Sequence, residues 1–309
     1  MPKIARSLWM NGFIGVVLLV VFGVAPEFYA NTSILFQMMM YIVLAQGVNV
    51  LYGFTGYLPF GYVGFFGAGA YGASLAIQIG HLPGSVAMGV GAMVSVVLGL
   101  VLLPLLRLAG AYFAIGSMAA AEIVYYVVSN PALDKVTNGP YGIQLVQSYH
   151  PVESYAFMVG ALGLVTLGVM ILRHSRIGMA LLALREDSVS AAMIGINVVT
   201  ARAGVWLASA LVAGLAGAIF AWHTSVFYPT TVFDLNISVF AIVFTLFGGA
   251  GTVLGPTVGV VVLFGLYNVI GISSPQYFQL LFGVLIVTLV LFLPNGVVSL
   301  LRRRGWDVP

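Results

Sequence analysis

The stretch FYANTSILFQMMMYIVLAQGVNVLYGFTGYLPFG, residues 28–61, decides how this chain is read. It contains no Asp, Glu, Lys or Arg, and none follows until after Leu106. A second uncharged run extends from Leu235 to Leu301. Soluble domains are about 25% charged, whereas this chain is 6% charged and 61% hydrophobic, with a mean hydropathy of +1.11. Uncharged runs of that length do not fit a water-soluble core, and they point to lipid as the solvent.

Crossing about 30 Å of hydrocarbon takes about 20 apolar residues at 1.5 Å each. Splitting the chain at prolines, glycine pairs and charges predicts an all-α, polytopic integral membrane protein of about ten transmembrane helices with Gly-rich breaks. The expected spans are 8–25, 34–52, 60–80, 85–106, 110–130, 155–172, 204–222, 236–250, 255–272 and 277–296. Residues 1–309 then form a single transmembrane domain. The first span follows Lys3 and Arg6 much as a signal peptide would, but it is longer than the usual h-region and no A-x-A site follows it.

Short loops on the cytoplasmic side collect Lys and Arg. Alternating the spans puts Lys3, Arg6, Arg107, Arg173, Arg176, Arg185, Arg202, Arg302, Arg303 and Arg304 on one side and Lys135 alone on the other. Both termini are therefore expected to be cytoplasmic, with an external loop at about 131–154 and a cytoplasmic loop at about 173–203. The three terminal arginines read as an anchor on membrane lipid. The basic residues sit at span ends rather than on one face, which argues against a nucleic-acid partner.

Several chemistries are missing. The chain has no Cys, so it forms no disulfide, thiolate metal site or catalytic thiol. It has no phosphate-binding G-x-x-x-x-G-K-[ST] loop. His81, His150, His174 and His223 are not spaced as metal ligands, so no metal is expected.

Small residues recur every four positions at Gly64, Ala68 and Gly72 and at Ala210, Gly214 and Ala218, a spacing that lets helix backbones approach in lipid. Two glycine clusters are denser than packing needs: Gly53, Gly56 and Gly61 with Pro59, and Gly248, Gly249, Gly251 and Gly255 with Pro256. Each is expected to break a helix or to form a tight turn between spans, and freed backbone groups at such a place can meet a solute. Glu122 is an acid well inside a span. Insertion there costs about 2.5–3.5 kcal/mol, which makes it a candidate for the solute route or for a buried hydrogen bond. Within the cytoplasmic loop, Val189, Ala192, Met193 and Ile196 repeat at helical spacing, and Gly195 marks a C-terminal stop. Arg185, Glu186 and Asp187 precede this face and Asn197 follows it. The mixed charges favour docking to a protein over lying on lipid.

Four blocks resemble one family: Asn49 to Tyr71, Gly110 to Ile123, Ser175 to Asn197, and Gly248 to Pro256, with Leu293-Pro294-Asn-Gly296 close to the end. In this order they are similar to the permease subunits of branched-chain amino-acid ABC transporters, the M-type more than the H-type. The resemblance implies an importer of leucine, isoleucine, valine or similar small amino acids or amides in the bacterial inner membrane. It also implies a second, H-type permease, two cytoplasmic ATPase subunits that hold ATP and Mg, and a periplasmic solute-binding protein. Residues 185–187, 189, 192, 193 and 195–197 would form the coupling helix. Thr55, Tyr57, Tyr62 and Glu122 would line the route, with no cofactor or catalysis on this chain. Pro59, Tyr62 and Tyr125 depart from the family pattern. The alternative is a stand-alone secondary transporter or channel for a small polar solute.

Overall fold

The computed structural model describes residues 2–29 and 31–273, together with 280, 283, 284, 287, 288, 296 and 297. Expected span 277–296 lies almost wholly outside the described residues, as do Arg302 to Arg304. The long helices are α1 (Pro2–Phe28), α2 (Thr32–Val48), α3 (Tyr62–Gln78), α4 (Gly84–Val101) and α5 (Ala111–Val128). After a short α6 (Asp134–Thr137) come α7 (Pro151–His174), α8 (Arg176–Glu186), α9 (Ser188–Met193) and α10 (Val198–Thr224). A one-turn α11 (Pro229–Val232) leads to α12 (Leu235–Gly248) and α13 (Gly255–Ser273). Among the described residues, six helices are long and apolar enough to cross a membrane, so the chain is a multi-pass membrane protein.

Polar side chains set the helix ends. Asn31, Asn197 and Asp234 accept backbone N–H groups at the starts of α2, α10 and α12. The fold is all-α as expected, with a single two-residue ladder among the described residues. β1 (Ile143–Gln144) pairs antiparallel with β2 (Val226–Phe227), because the segment after α6 folds back onto the end of α10. Trp222 Nε1 also donates to Ser148 O at 2.9 Å.

The core is organised around α3, most of whose residues are buried. A Cβ at Gly69 would strike the Gly214 main chain of α10, and one at Gly217 would strike Phe66 of α3. Lipid supplies no hydrophobic drive between helices, so such backbone contact and interhelical hydrogen bonds hold the bundle. Ser95 Oγ donates to Phe65 O at 2.7 Å, Ser209 Oγ to Gly47 O at 2.8 Å, and Thr245 Oγ1 to Ala45 O at 2.9 Å.

Helix α7 separates the two long loops. At 24 residues and 1.5 Å per residue it spans about 36 Å. The 131–154 segment therefore lies at one end of the bundle and the 173–203 segment at the other.

Candidate functional site

Both glycine clusters lie at the end of the bundle that carries the 173–203 segment, and each joins two helices. The first follows a π-helical turn, Asn49–Gly53, that widens the end of α2. Gly56 sits at φ +78° and Gly61 packs on the Ser117 main chain of α5. The second cluster ends α12 at Gly248. Gly249 and Gly251 then take φ +118° and +82°, a region open mainly to glycine, before Gly255 starts α13.

The two connections touch. A Cβ at Gly53 would lie 2.6 Å from Gly251 N, so the chains meet backbone to backbone. Such a contact strands main-chain polar groups away from water, at about 1–3 kcal/mol for each one unsatisfied. Two buried carboxamides, Gln46 in α2 and Asn49 at the start of the π-helical turn, prevent that. Asn49 Nδ2 donates to Thr252 O at 2.8 Å while its Oδ1 accepts Gly251 N–H at 2.7 Å. Gln46 Nε2 donates to Val253 O at 2.7 Å.

Arginines complete the cluster. Arg185, in the last turn of α8, donates from Nη1 to Gly53 O at 2.7 Å, and its guanidinium lies 5.6 Å from the Tyr52 ring centroid. Arg173, in the last turn of α7, donates to Gly251 O. Arg202 of α10 stands 5.0 Å from the Tyr57 ring centroid. Neither Arg185 nor Arg202 pairs with a carboxylate among the described residues. Their charges rest on a carbonyl and on ring faces, with each ring contact worth about 0.5–2 kcal/mol depending on exposure.

The sequence-derived residues are distributed as follows. Thr55, Tyr57 and Tyr62 are buried, and their hydroxyls donate to Leu51 O at 2.6 Å, Leu106 O at 3.3 Å and Ser209 O at 3.1 Å. In this conformation Tyr57 and Tyr62 tie separate segments together, while the Thr55 hydroxyl turns back onto its own preceding turn. Glu122 is half-buried on α5, beside the exposed Ile115, Ile123 and Tyr126. It has no hydrogen-bond or ion-pair partner among the described residues.

The expected docking helix is divided. Arg185 and Glu186 end α8, while Asp187 is the N-cap of α9, accepting from Val189 N and the Ser190 hydroxyl. The Ser190 hydroxyl and then the Val189 N–H hold the Asp187 carboxyl below the usual carboxylate range. Helix α9 closes with Gly195 at φ +90°, Gly195 N donating to Ala192 O and Ile196 N to Ala191 O. Val189 is 67% exposed, Met193 80% and Ile194 74%; Ala192 is exposed beside them and Ile196 is half-buried. Asn197 turns away from that face to cap α10.

Gln46, Asn49 and Ile194 are not marked as site residues by any motif in the sequence, and Arg173 and Arg202 enter there only as positive charges on one side of the membrane. The signal was present for the first two, since carboxamides three residues apart in an uncharged span must find partners within the protein.

Residues 31–290, from α2 onward, match the family of the branched-chain amino acid transport system / permease component. The chain belongs to that family. This branched-chain amino acid permease is 27% identical over 298 residues to the high-affinity branched-chain amino acid transport system permease protein LivM of Salmonella typhimurium, with 86% of this chain and 69% of that one covered. Against LivM of Escherichia coli the identity is 26%, with the same coverage. No solved structure matches the permease.

Proposed function

We propose that this permease is the M-type membrane subunit of an ATP-driven importer that carries branched-chain amino acids, or similar small amino acids or amides, across the bacterial inner membrane. The observation that carries this reading is the outward apolar ridge of α9, capped at both ends and set at the same end of the bundle as the arginine cluster. Two cytoplasmic ATPase subunits, which bind ATP and Mg, grip this ridge. With span 277–296 included, ten helices cross the membrane, and both termini lie with α9 on the cytoplasmic side.

The partly exposed face of α5 belongs against a second, H-type permease, with the route between the two subunits. An acid facing lipid would cost about 2.5–3.5 kcal/mol, whereas a polar route or partner removes that cost from Glu122. Tyr141, Tyr149 and Val152, exposed at the opposite end, meet the periplasmic solute-binding protein. Thr55, Tyr57 and Tyr62 reach the solute only when helices separate during alternating access.

Reconstitution in liposomes tests this. The chain alone gives no leucine uptake, and the full assembly gives uptake that requires both ATP and the binding protein. In the same assay Glu122→Gln lowers uptake about tenfold, the loss expected when one charged hydrogen bond disappears. Gradient-driven flux through the chain alone overturns the importer reading, and unchanged uptake by Glu122→Gln removes that residue from the route.

A further inference from the structure

We infer that Arg173 and Arg185 form a releasable clamp through which the 173–203 segment holds the two glycine-rich connections together, so that displacing this segment opens the bundle there. The inference rests on the importer reading. Four observations lead to it. The segment carries four arginines, and three of them, Arg173, Arg185 and Arg202, reach inward onto the connections at residues 52–57 and at Gly251. Arg185 holds the connection that follows α2, and Arg173 holds the one between α12 and α13. Those connections are far apart in sequence; they meet main chain to main chain at Gly53 and Gly251, and the Asn49 carboxamide bridges them. Arg173 and Arg185 sit in the last turns of α7 and α8, the two helices that lead into the exposed α9 ridge.

The bonding suits a contact that must form and release. A guanidinium on a main-chain carbonyl is directional, and where carboxylates are absent, as for Arg185 among the described residues, it lacks the depth of a buried ion pair. Gln46 and Asn49 keep the second connection tied to the end of α2 when the arginines withdraw, so its amide and carbonyl groups stay bonded and the opening is confined to the stretch from Gly53 to Tyr57. Gly53 O and Gly251 O lose a partner and become available to water or solute at the inner mouth. Both arginines are thus positioning residues, acting through the connections they hold.

The test uses the reconstituted assembly carrying Arg173→Gln with Arg185→Gln, read as solute moved per ATP hydrolysed. That ratio falls about tenfold, because two biased states lose the contacts that distinguish them. Arg173→Lys with Arg185→Lys recovers part of it, since an ammonium still reaches a single carbonyl. A Gln double variant that copurifies with the ATPases and keeps the wild-type ratio overturns the clamp. If the wild-type chain itself fails to bind ATPases, the importer reading has failed instead. Should the double variant not fold, Thr55→Cys in the otherwise native, cysteine-free chain gives a second readout. Maleimide labelling there accelerates when the ATPases are trapped with nucleotide, and an unchanged rate overturns the clamp.

Discussion

Gly53→Leu abolishes ATP-driven uptake and lowers the thermal unfolding temperature of the purified chain in detergent. The new side chain meets Gly251 N 2.6 Å from its Cβ and, hydrogen-bonded to that same amide, the Asn49 carboxamide oxygen. Backbone cannot yield as a flexible side chain does. The two connections separate, Asn49 loses Thr252 O and Gly251 N, and Arg185 loses Gly53 O. Overpacking costs about 1–3 kcal/mol and each stranded polar group about 1–3 kcal/mol more, which together approach the whole margin of an ordinary domain. Gly89→Leu is the control, since a Cβ there meets nothing within 4 Å. It leaves uptake and unfolding temperature unchanged. Equal behaviour of the two variants shows that the contact between the connections contributes nothing.

Val189→Asp with Met193→Asp releases the ATPase subunits while the chain stays folded. Both side chains are largely exposed, so the substitution costs the isolated chain little. Bound in a partner's groove, each would bury an unpaired carboxylate in place of an apolar anchor. Central anchors are worth about 2 kcal/mol or more apiece, so binding weakens roughly a thousandfold. Titration of labelled ATPase against the purified chain measures this directly. Gly195→Pro reaches the same end by another route, because proline fixes φ near −65° where the helix terminus needs +90°. Retention of wild-type affinity by both variants shows that α9 is not the docking element.

The membrane-embedded architecture was legible because the relevant free energies are large and local. An uncharged run such as 28–61 has one comfortable solvent, and the six described segments long and apolar enough to cross a membrane fall on expected spans between 34–52 and 236–250. The glycine repeats were readable for the same reason, since small residues at four-residue spacing mark close helix contact whatever the partner. What remained hidden depends on tertiary partners. Nothing in Asn49 names Thr252 as its acceptor 203 residues away, and nothing in Arg185 separates a surface charge from one that caps Gly53 O. Helix α8 lies inside the stretch that its arginines and glutamate mark as a solvated connector, and Asp187 divides it from α9 by competing for the helix backbone. Thr55, Tyr57 and Tyr62, expected along a solute route, are satisfied by carbonyls in this conformation, and nothing in their sequence positions names those partners.

The chain has no cysteine of its own, so a single Met193→Cys variant reports the side of the membrane on which α9 lies. In intact cells a membrane-impermeant maleimide leaves this position unlabelled, and in inside-out vesicles it labels it rapidly. Labelling in intact cells would place α9 outside, where no ATPase can reach it, and would contradict the account from the loop to the clamp.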